Sequence, residues 1–173
     1  MVKKLANNDN VEQFVENICK IIITNERKVI KEQDLLKICP ESVNFDVIIS
    51  NVYNNLKKIG FELVKTTFLE EKYYILTTDG KDRDLSPTHY GILALIIALN
   101  NELGENLNYF ELKNILKEVW ENVEFLLDNK YLAQIKTGGQ KIIKLTPLGK
   151  GVLKNLISEI DLKKFFNLFV TKD

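Results

Sequence analysis

Residues 126–153, with the sequence LLDNKYLAQIKTGGQKIIKLTPLGKGVL, carry the strongest structural signals in the chain. Two runs rich in strand-forming residues, 131–136 and 141–145, flank the tetrapeptide TGGQ at 137–140, and a Gly-Gly pair between such runs is typical of a tight hairpin turn. Thr146-Pro147 is a helix start, with Thr as the N-cap and Pro at the first helical position. The segment therefore predicts the end of one helix, a β-hairpin and the beginning of another helix.

Three helices are predicted upstream of this hairpin. Ser86-Pro87 repeats the cap-plus-proline signal, and the apolar run 91–99 predicts a helix that is buried on all faces. Asn108 and Glu111 have the spacing of a capping box, which opens a short helix. A third helix is expected over 117–130, directly before the hairpin.

The first half of the chain shows the same order of elements. A helix is predicted to open at Asp9, with Glu12 completing a capping box, and Glu70-Glu71 is the predicted turn of a hairpin. The other predicted elements are an extended pair at 29–30, a short helix over 31–39, a longer helix over 45–59 and strands over 61–68 and 72–78. Helices followed by a hairpin in this order are typical of a winged-helix unit, an elaboration of the helix-turn-helix.

The repeated order predicts a tandem winged-helix protein of the α+β class, mainly α. The most polar stretch in the middle of the chain, 78–85, marks the expected boundary. We therefore expect a first winged-helix domain over residues 1–85 and a second over residues 86–173, which ends in a C-terminal helix.

The composition excludes several classes of protein. The 173 residues include 24 Lys or Arg and 24 Asp or Glu, so the net charge is zero, which argues against a cationic protein that coats nucleic acid. No apolar run approaches the roughly 20 residues of a membrane span, and the N-terminus lacks the apolar stretch of a signal peptide. We expect no membrane association and a cytoplasmic, nucleoid-associated location, or a nuclear one in a eukaryote.

The sequence lacks the patterns of catalytic and metal sites. Cys19 and Cys39 have no CxxC spacing and are interpreted as buried thiols in a reducing cytoplasm, with a disulfide in a heat-adapted organism as the alternative. The single histidine, His89, has no second histidine or nearby cysteine with which to hold a metal ion. No nucleophile–base pair or phosphate-binding glycine loop occurs. We expect a protein that is not an enzyme and has no cofactor and no metal site.

Lysines at the second predicted wing are the first candidates for DNA contact. Lys136, Lys141, Lys144 and Lys150 lie on or just after this hairpin, where they could hold phosphate without reading sequence. The alternative is that they protect an edge hairpin from aggregation. Lys57 and Lys58 are further candidates, although basic residues at the end of a helix also stabilise its dipole. The predicted third helix of the second half is acidic, so phosphates should repel it.

The C-terminal segment is the candidate partner-binding surface. Leu162, Phe165, Phe166 and Phe169 follow helical spacing and place several large apolar side chains within ten residues. One interpretation is that they pack back on their own domain. The other is that they form a dimer or partner surface, because exposed apolar patches usually mark interfaces.

Several short motifs resemble the MAGE homology domain, a tandem winged-helix module. LKKIGFEL at 56–63 and YILTTDG at 74–80 are similar to the F-G-x-x-L and Y-x-L-x-T elements of that domain. The apolar run 91–99 resembles its apolar helix, and DNKYL at 128–132 resembles its QEKYL. LTPLG at 145–149 resembles the segment that follows the wing in many winged-helix regulators. The bacterial protein ScpB has the same tandem design and a similar GF-x-L and Y-x-L-x-T stretch.

These families are grouped as kleisin-interacting tandem winged-helix elements, or KITE proteins. The resemblance implies a non-catalytic subunit of an SMC-type complex for chromosome segregation or DNA repair. Such a subunit binds a kleisin, dimerises with a second winged-helix subunit or with itself, and often touches DNA weakly and without sequence specificity. The MAGE branch also binds RING-type ubiquitin ligases.

Two other functions compete with this one. A winged-helix DNA-binding transcription regulator is the main alternative, and it should carry a basic third helix. A structural homodimer built on the C-terminal phenylalanines is the third hypothesis.

Overall fold

The chain divides into two compact units, Met1–Gly80 and Lys81–Asp173. The structure is a computed structural model that describes residues 2–40, 43–78, 84–103 and 107–159. The division between the units falls within the polar stretch 78–85.

Within its described residues, unit 1 contains three helices and a three-stranded antiparallel sheet. In chain order its elements are α1 (Val2–Thr24), β1 (Val29–Lys31), α2 (Glu32–Leu36), α3 (Phe45–Lys58), β2 (Phe61–Phe68) and β3 (Glu71–Thr78). The strands lie in the order β1-β3-β2, so the hairpin forms two strands and the short strand β1 adds the third.

Helix α3 shows why this unit folds as its sequence predicts. The Asn44 side chain caps the helix by accepting a hydrogen bond from the backbone N–H of Asp46 at 2.9 Å. Its apolar stripe, Ile48, Val52 and Leu56, is fully buried. Gly60, with φ of +82°, adopts the left-handed conformation that commonly ends a helix.

Two boundaries in unit 1 differ from the sequence predictions. Helix α1 begins at Val2, so Asp9 lies inside it and the predicted capping box does not start the helix. Strands β2 and β3 pair in full, with Phe68 opposite Glu71. The turn is therefore Leu69-Glu70, both at positive φ, as a two-residue hairpin turn of the primed type requires.

Unit 2 contains four α-helices, a short 3-10 helix and a second three-stranded antiparallel sheet within its described residues. Its elements are α4 (Pro87–Leu103), β4 (Leu107–Asn108), α5 (Tyr109–Ile115), a 3-10 helix (Lys117–Val119), α6 (Trp120–Asp128), β5 (Leu132–Thr137), β6 (Gln140–Leu145) and α7 (Pro147–Glu159). The strand order is β4-β6-β5.

Helix α4 starts where Ser86-Pro87 predicts, but one of its faces is open. The backbone N–H of His89 donates to Ser86 Oγ at 3.3 Å, and Ser86 N–H donates to Nδ1 of the buried His89 ring at 3.1 Å. Leu93 and Ile96 are fully buried, whereas Leu95 is 39% exposed. The prediction of burial on all faces is therefore wrong, because the run 91–99 supplies more apolar side chains than one helix face can pack.

The LTPLG segment, residues 145–149, holds the second hairpin against helix α7. Gly138 and Gly139 both have positive φ and form the predicted tight turn. Thr146 Oγ1 donates to the carbonyl oxygen of Lys130 at 2.5 Å and accepts from the N–H of Gly149 at 3.1 Å. A Cβ at Gly149 would collide with the backbone carbonyl oxygen of Tyr131. The glycine is needed because helix α7 passes directly against the start of β5.

Each unit thus combines helices with one small antiparallel sheet, a mixed α/β architecture that is consistent with a winged helix.

Cys19 and Cys39 are free thiols, but both are partly exposed, so the prediction of burial is wrong. Among the helices that the structure describes, none combines the length and apolarity needed to cross a membrane.

Candidate functional site

The second wing, which is the hairpin formed by β5 and β6, carries two lysines that lie opposite each other. Lys136 on β5 lies directly opposite Lys141 on β6. Directly opposed residues of an antiparallel pair share one face of the sheet, so both side chains project from the same side. In the part of the chain that the structure describes, neither lysine has an acidic group within salt-bridge distance. This is an uncompensated pair of like charges, which an anionic ligand would stabilise.

The structure does not bring the other two predicted lysines of this wing to the pair. Lys144 lies opposite Ala133 and projects from the other face, because side chains alternate along a strand. Lys150 lies on helix α7. Both side chains are partly buried and already interact with other groups of the protein. The basic surface of the second wing therefore centres on Lys136 and Lys141.

Helix α5 places aromatic rings beside this lysine pair. Lys141 Nζ lies 5.7 Å from the centre of the Tyr109 ring, within the range of a cation–π contact. Tyr109 in turn meets Phe110 and Trp120 edge to face, at centroid distances of 5.4 and 5.2 Å. Lys113 Nζ lies 5.3 Å from the Trp120 ring centre. Tyr109, Phe110 and Lys113 were not predicted from the sequence, where the only signal was an aromatic pair directly after a helix cap.

The third helix of unit 2, α6 with the 3-10 helix before it, is acidic on its exposed side. Trp120 is buried and its Nε1–H donates to Glu124 Oε1 at 2.9 Å. The exposed acidic side chains are Glu118, Glu121, Glu124 and Asp128. A helix that enters the major groove must approach phosphates on both sides, so this charge opposes duplex reading by α6.

The first wing, which is the hairpin formed by β2 and β3, also carries lysines, but carboxylates neutralise them. Glu32, at the start of α2, has a side chain only 13% exposed and accepts hydrogen bonds from Lys65 and from the hydroxyl of Tyr74, the latter at 2.8 Å. Lys72 Nζ lies 3.6 Å from the other oxygen of Glu32. On the same sheet, Lys31 pairs with Glu71 at 2.7 Å. This network ties the hairpin to α2 and leaves little net positive charge on the first wing.

The pKa values of the Glu32 network follow from burial and pairing. Burial raises the pKa of Glu32, but the hydrogen bonds from Lys65 and Tyr74 and the charges of Lys65 and Lys72 outweigh it, and the pKa lies below its ordinary value. Burial, together with the hydrogen bond to Glu32, raises the pKa of Tyr74 to about 12. The hydrogen bond to Glu32 also raises the pKa of Lys65. The network is therefore stable as an ion pair with a protonated phenol at neutral pH.

Lys57 and Lys58 lie in the last turn of α3, shortly before β2 begins at Phe61. Lys57 Nζ lies 5.9 Å from the ring centre of Tyr53 on the same helix. Cations at this end of a helix interact favourably with its dipole, which accounts for their position without a ligand.

An open groove of about 430 Å³ lies between α1 and α3 of unit 1. Its apolar lining includes Cys19 and Ile23 from α1 and Leu56 and Ile59 from the end of α3. Ile59 is 60% exposed and Ile23 is 43% exposed. Two exposed aliphatic side chains in a groove between helices can receive the apolar face of a partner helix.

The predicted partner surface formed by Leu162, Phe165, Phe166 and Phe169 lies outside the described residues and stays a prediction. Within the residues that are described, no group of three or more His, Cys, Asp or Glu side chains is placed to hold a metal ion.

Comparison with known proteins gives a likeness of fold. A chain of the solved structure named "Nse1-Nse3-Nse4 complex" matches 85% of this chain and 75% of its own length, with a TM-score of 0.53 and 12% sequence identity. At this identity the likeness concerns the fold alone. No protein-family model matches the chain, and no curated protein matches it in sequence.

Proposed function

We propose that the chain is a non-catalytic, tandem winged-helix subunit of an SMC-type chromosome-maintenance complex that binds a kleisin and a like partner. The observation that carries the proposal is the likeness of fold to a chain of the Nse1-Nse3-Nse4 complex, since it extends over 85% of this chain. The sequence motifs that resemble KITE and MAGE proteins are an independent argument for the same function.

The charge of unit 2 supports this function over that of a transcription regulator. A regulator that reads an operator needs hydrogen-bond donors on its third helix, whereas the exposed side of α6 carries Glu121, Glu124 and Asp128. Lys136 and Lys141 on the second wing suit a weak, salt-sensitive contact to phosphate.

The groove between α1 and α3 is our candidate for the kleisin surface. Ile23 and Ile59 are exposed there and can contact the apolar face of an amphipathic helix. The C-terminal residues 162–169 remain the candidate surface for the like partner.

Co-elution with a kleisin tests the proposal. The full chain is mixed with a kleisin fragment from the same organism and analysed by size-exclusion chromatography with light scattering. We expect a stoichiometric complex, and we expect Ile59→Asp to weaken it at least tenfold. Val47→Asp is the matched control, because Val47 is also exposed on α3 but does not line the groove. Separate elution of the two proteins, together with nanomolar binding to one DNA operator, would establish the regulator instead.

A further inference from the structure

Phe110 is an aromatic side chain that the fold leaves in solvent. It is 61% exposed on helix α5, although burying a ring of this size is strongly favourable. The Phe110 ring meets the Tyr109 ring edge to face. Most of the Phe110 ring surface is therefore available to a planar ligand.

Three lysine side chains lie near this aromatic pair. Lys141 Nζ lies over the Tyr109 ring, and Lys136 stands directly opposite Lys141 on the hairpin. Lys113 Nζ lies over Trp120, whose ring meets Tyr109 edge to face. No ion pair to these three lysines is found among the described residues. Their charge is thus available to an anionic partner.

An exposed ring flanked by lysines has the chemistry of a stacking platform for nucleic-acid bases. Base stacking on an aromatic side chain requires a base that is not already stacked in a duplex, while lysines hold the neighbouring phosphates. The acidic face of α6 opposes insertion of that helix into a duplex groove. An acidic peptide would satisfy the lysines but would give Phe110 no planar partner.

We propose that the α5–wing surface, defined by Tyr109, Phe110, Lys113, Lys136 and Lys141, binds single-stranded nucleic acid, with a base stacked on Phe110 and phosphates held by Lys136 and Lys141. This inference deepens the DNA contact within the proposed function and rests on that function for its biological setting. The ligand is single-stranded nucleic acid, and Phe110 is the residue that selects it over a duplex.

Fluorescence anisotropy with a labelled 15-nucleotide oligo(dT), and with a duplex of the same length, tests this surface in the full chain. We expect oligo(dT) to bind more tightly than the duplex. Phe110→Ala should weaken oligo(dT) binding about tenfold, since one stacked base contributes on that scale, and Phe110→Tyr should restore it. Lys136→Gln with Lys141→Gln should weaken binding and make the log–log salt slope shallower by about 1.4, as loss of two phosphate contacts on a single strand predicts.

Matched variants separate this proposal from its alternatives. Ile115→Ala removes an equally exposed side chain from the same helix that cannot stack on a base, and it should leave affinity unchanged. Lys57→Gln with Lys58→Gln tests the other predicted lysine pair and should also have no effect. Equal or tighter duplex binding, an unchanged affinity of Phe110→Ala, or full competition by a poly-glutamate peptide would overturn the proposal. Kleisin co-elution is measured on the same variants, so the proposed function can stand if this surface fails.

Discussion

The two wings occupy equivalent places in their units, but their lysines are balanced in different ways. In the first wing, Lys65 and Lys72 both pair with Glu32, whose side chain is only 13% exposed. In the second wing, Lys136 and Lys141 oppose each other without a carboxylate partner in the described part of the chain. The first wing uses its charges to hold its own fold, whereas the second keeps its charges available for a ligand.

The wings also differ in how they are anchored. The first is tied to α2 by side chains, through Glu32, Lys65 and Tyr74. The second is clamped by backbone, where Gly149 of α7 passes against Tyr131 and no side chain fits between them. A lysine count alone therefore does not distinguish a structural wing from a binding wing, because the partners of each lysine decide its role.

The largest effect is expected at the backbone clamp of the second wing. Gly149→Ala places a methyl group against the Tyr131 carbonyl oxygen, and we expect it to lower the free energy of unfolding by about 3 kcal/mol, the upper range for overpacking. Gly91→Ala is the control, since a Cβ there meets nothing within 4 Å. Alanine at that helical position should stabilise the protein by up to about 1 kcal/mol. Urea unfolding measures both changes. Equal stability of the two variants would show that the close contact between Gly149 and Tyr131 does not anchor the second wing.

The next effect is expected at the ionic anchor of the first wing. Glu32→Gln leaves Lys65 and Lys72 without a carboxylate, and it should lower the free energy of unfolding by about 1–2 kcal/mol. Asp34→Asn is matched, because Asp34 also lies in the first turn of α2 and pairs with a lysine, but in an exposed position. That control should change stability by less than about 0.5 kcal/mol. If both variants behave alike, the Glu32 network does not anchor the wing.

The same network predicts how unit 1 responds to alkaline pH. The pKa of Tyr74 is raised to about 12, whereas a phenol in the unfolded chain titrates near 10. The unfolded state therefore loses its proton first, and stability should fall as pH rises from about 10 to 12. Tyr74→Phe should make this decline shallower in thermal unfolding monitored by circular dichroism. An unchanged decline would show that Tyr74 does not contribute to it.

The smallest expected effect is a change in the free energy of unfolding that has opposite signs in the two wings. Lys136→Glu replaces a repulsive cross-strand pair by an attractive one and should stabilise the protein by about 0.5 kcal/mol. Lys65→Gln removes a partner of Glu32 and should instead destabilise it. Opposite signs in denaturant unfolding would support the difference between paired lysines in the first wing and unpaired lysines in the second. A loss of stability in both variants would contradict it.

Local signals in the sequence were sufficient for most element boundaries. Ser86-Pro87, Asn108 and Thr146-Pro147 each start a helix in the structure, and Gly138-Gly139 forms the predicted turn. These features depend on capping and backbone conformation within a few residues, which sequence determines directly. The start of α1 was missed because the polar run 7–10 resembles a cap although it lies inside a helix.

The candidate site was harder to predict because it depends on contacts between distant residues. The period of two along a strand could have separated Lys141 from Lys144, since they are three residues apart. By contrast, the position of Lys141 over Tyr109 arises only when the hairpin folds back onto α5. The pairing of Glu32 with Lys65 likewise joins residues 33 positions apart, beyond any local pattern.

Affinity purification of the tagged full chain from its source cells, followed by quantitative mass spectrometry, tests whether the protein is a subunit of an SMC-type complex. We predict that an SMC ATPase and a kleisin are recovered in near-stoichiometric amounts, and that Ile59→Asp reduces the kleisin while Val47→Asp does not. Recovery of the chain without any SMC-complex protein, and with one enriched operator sequence in the bound DNA, would contradict the account.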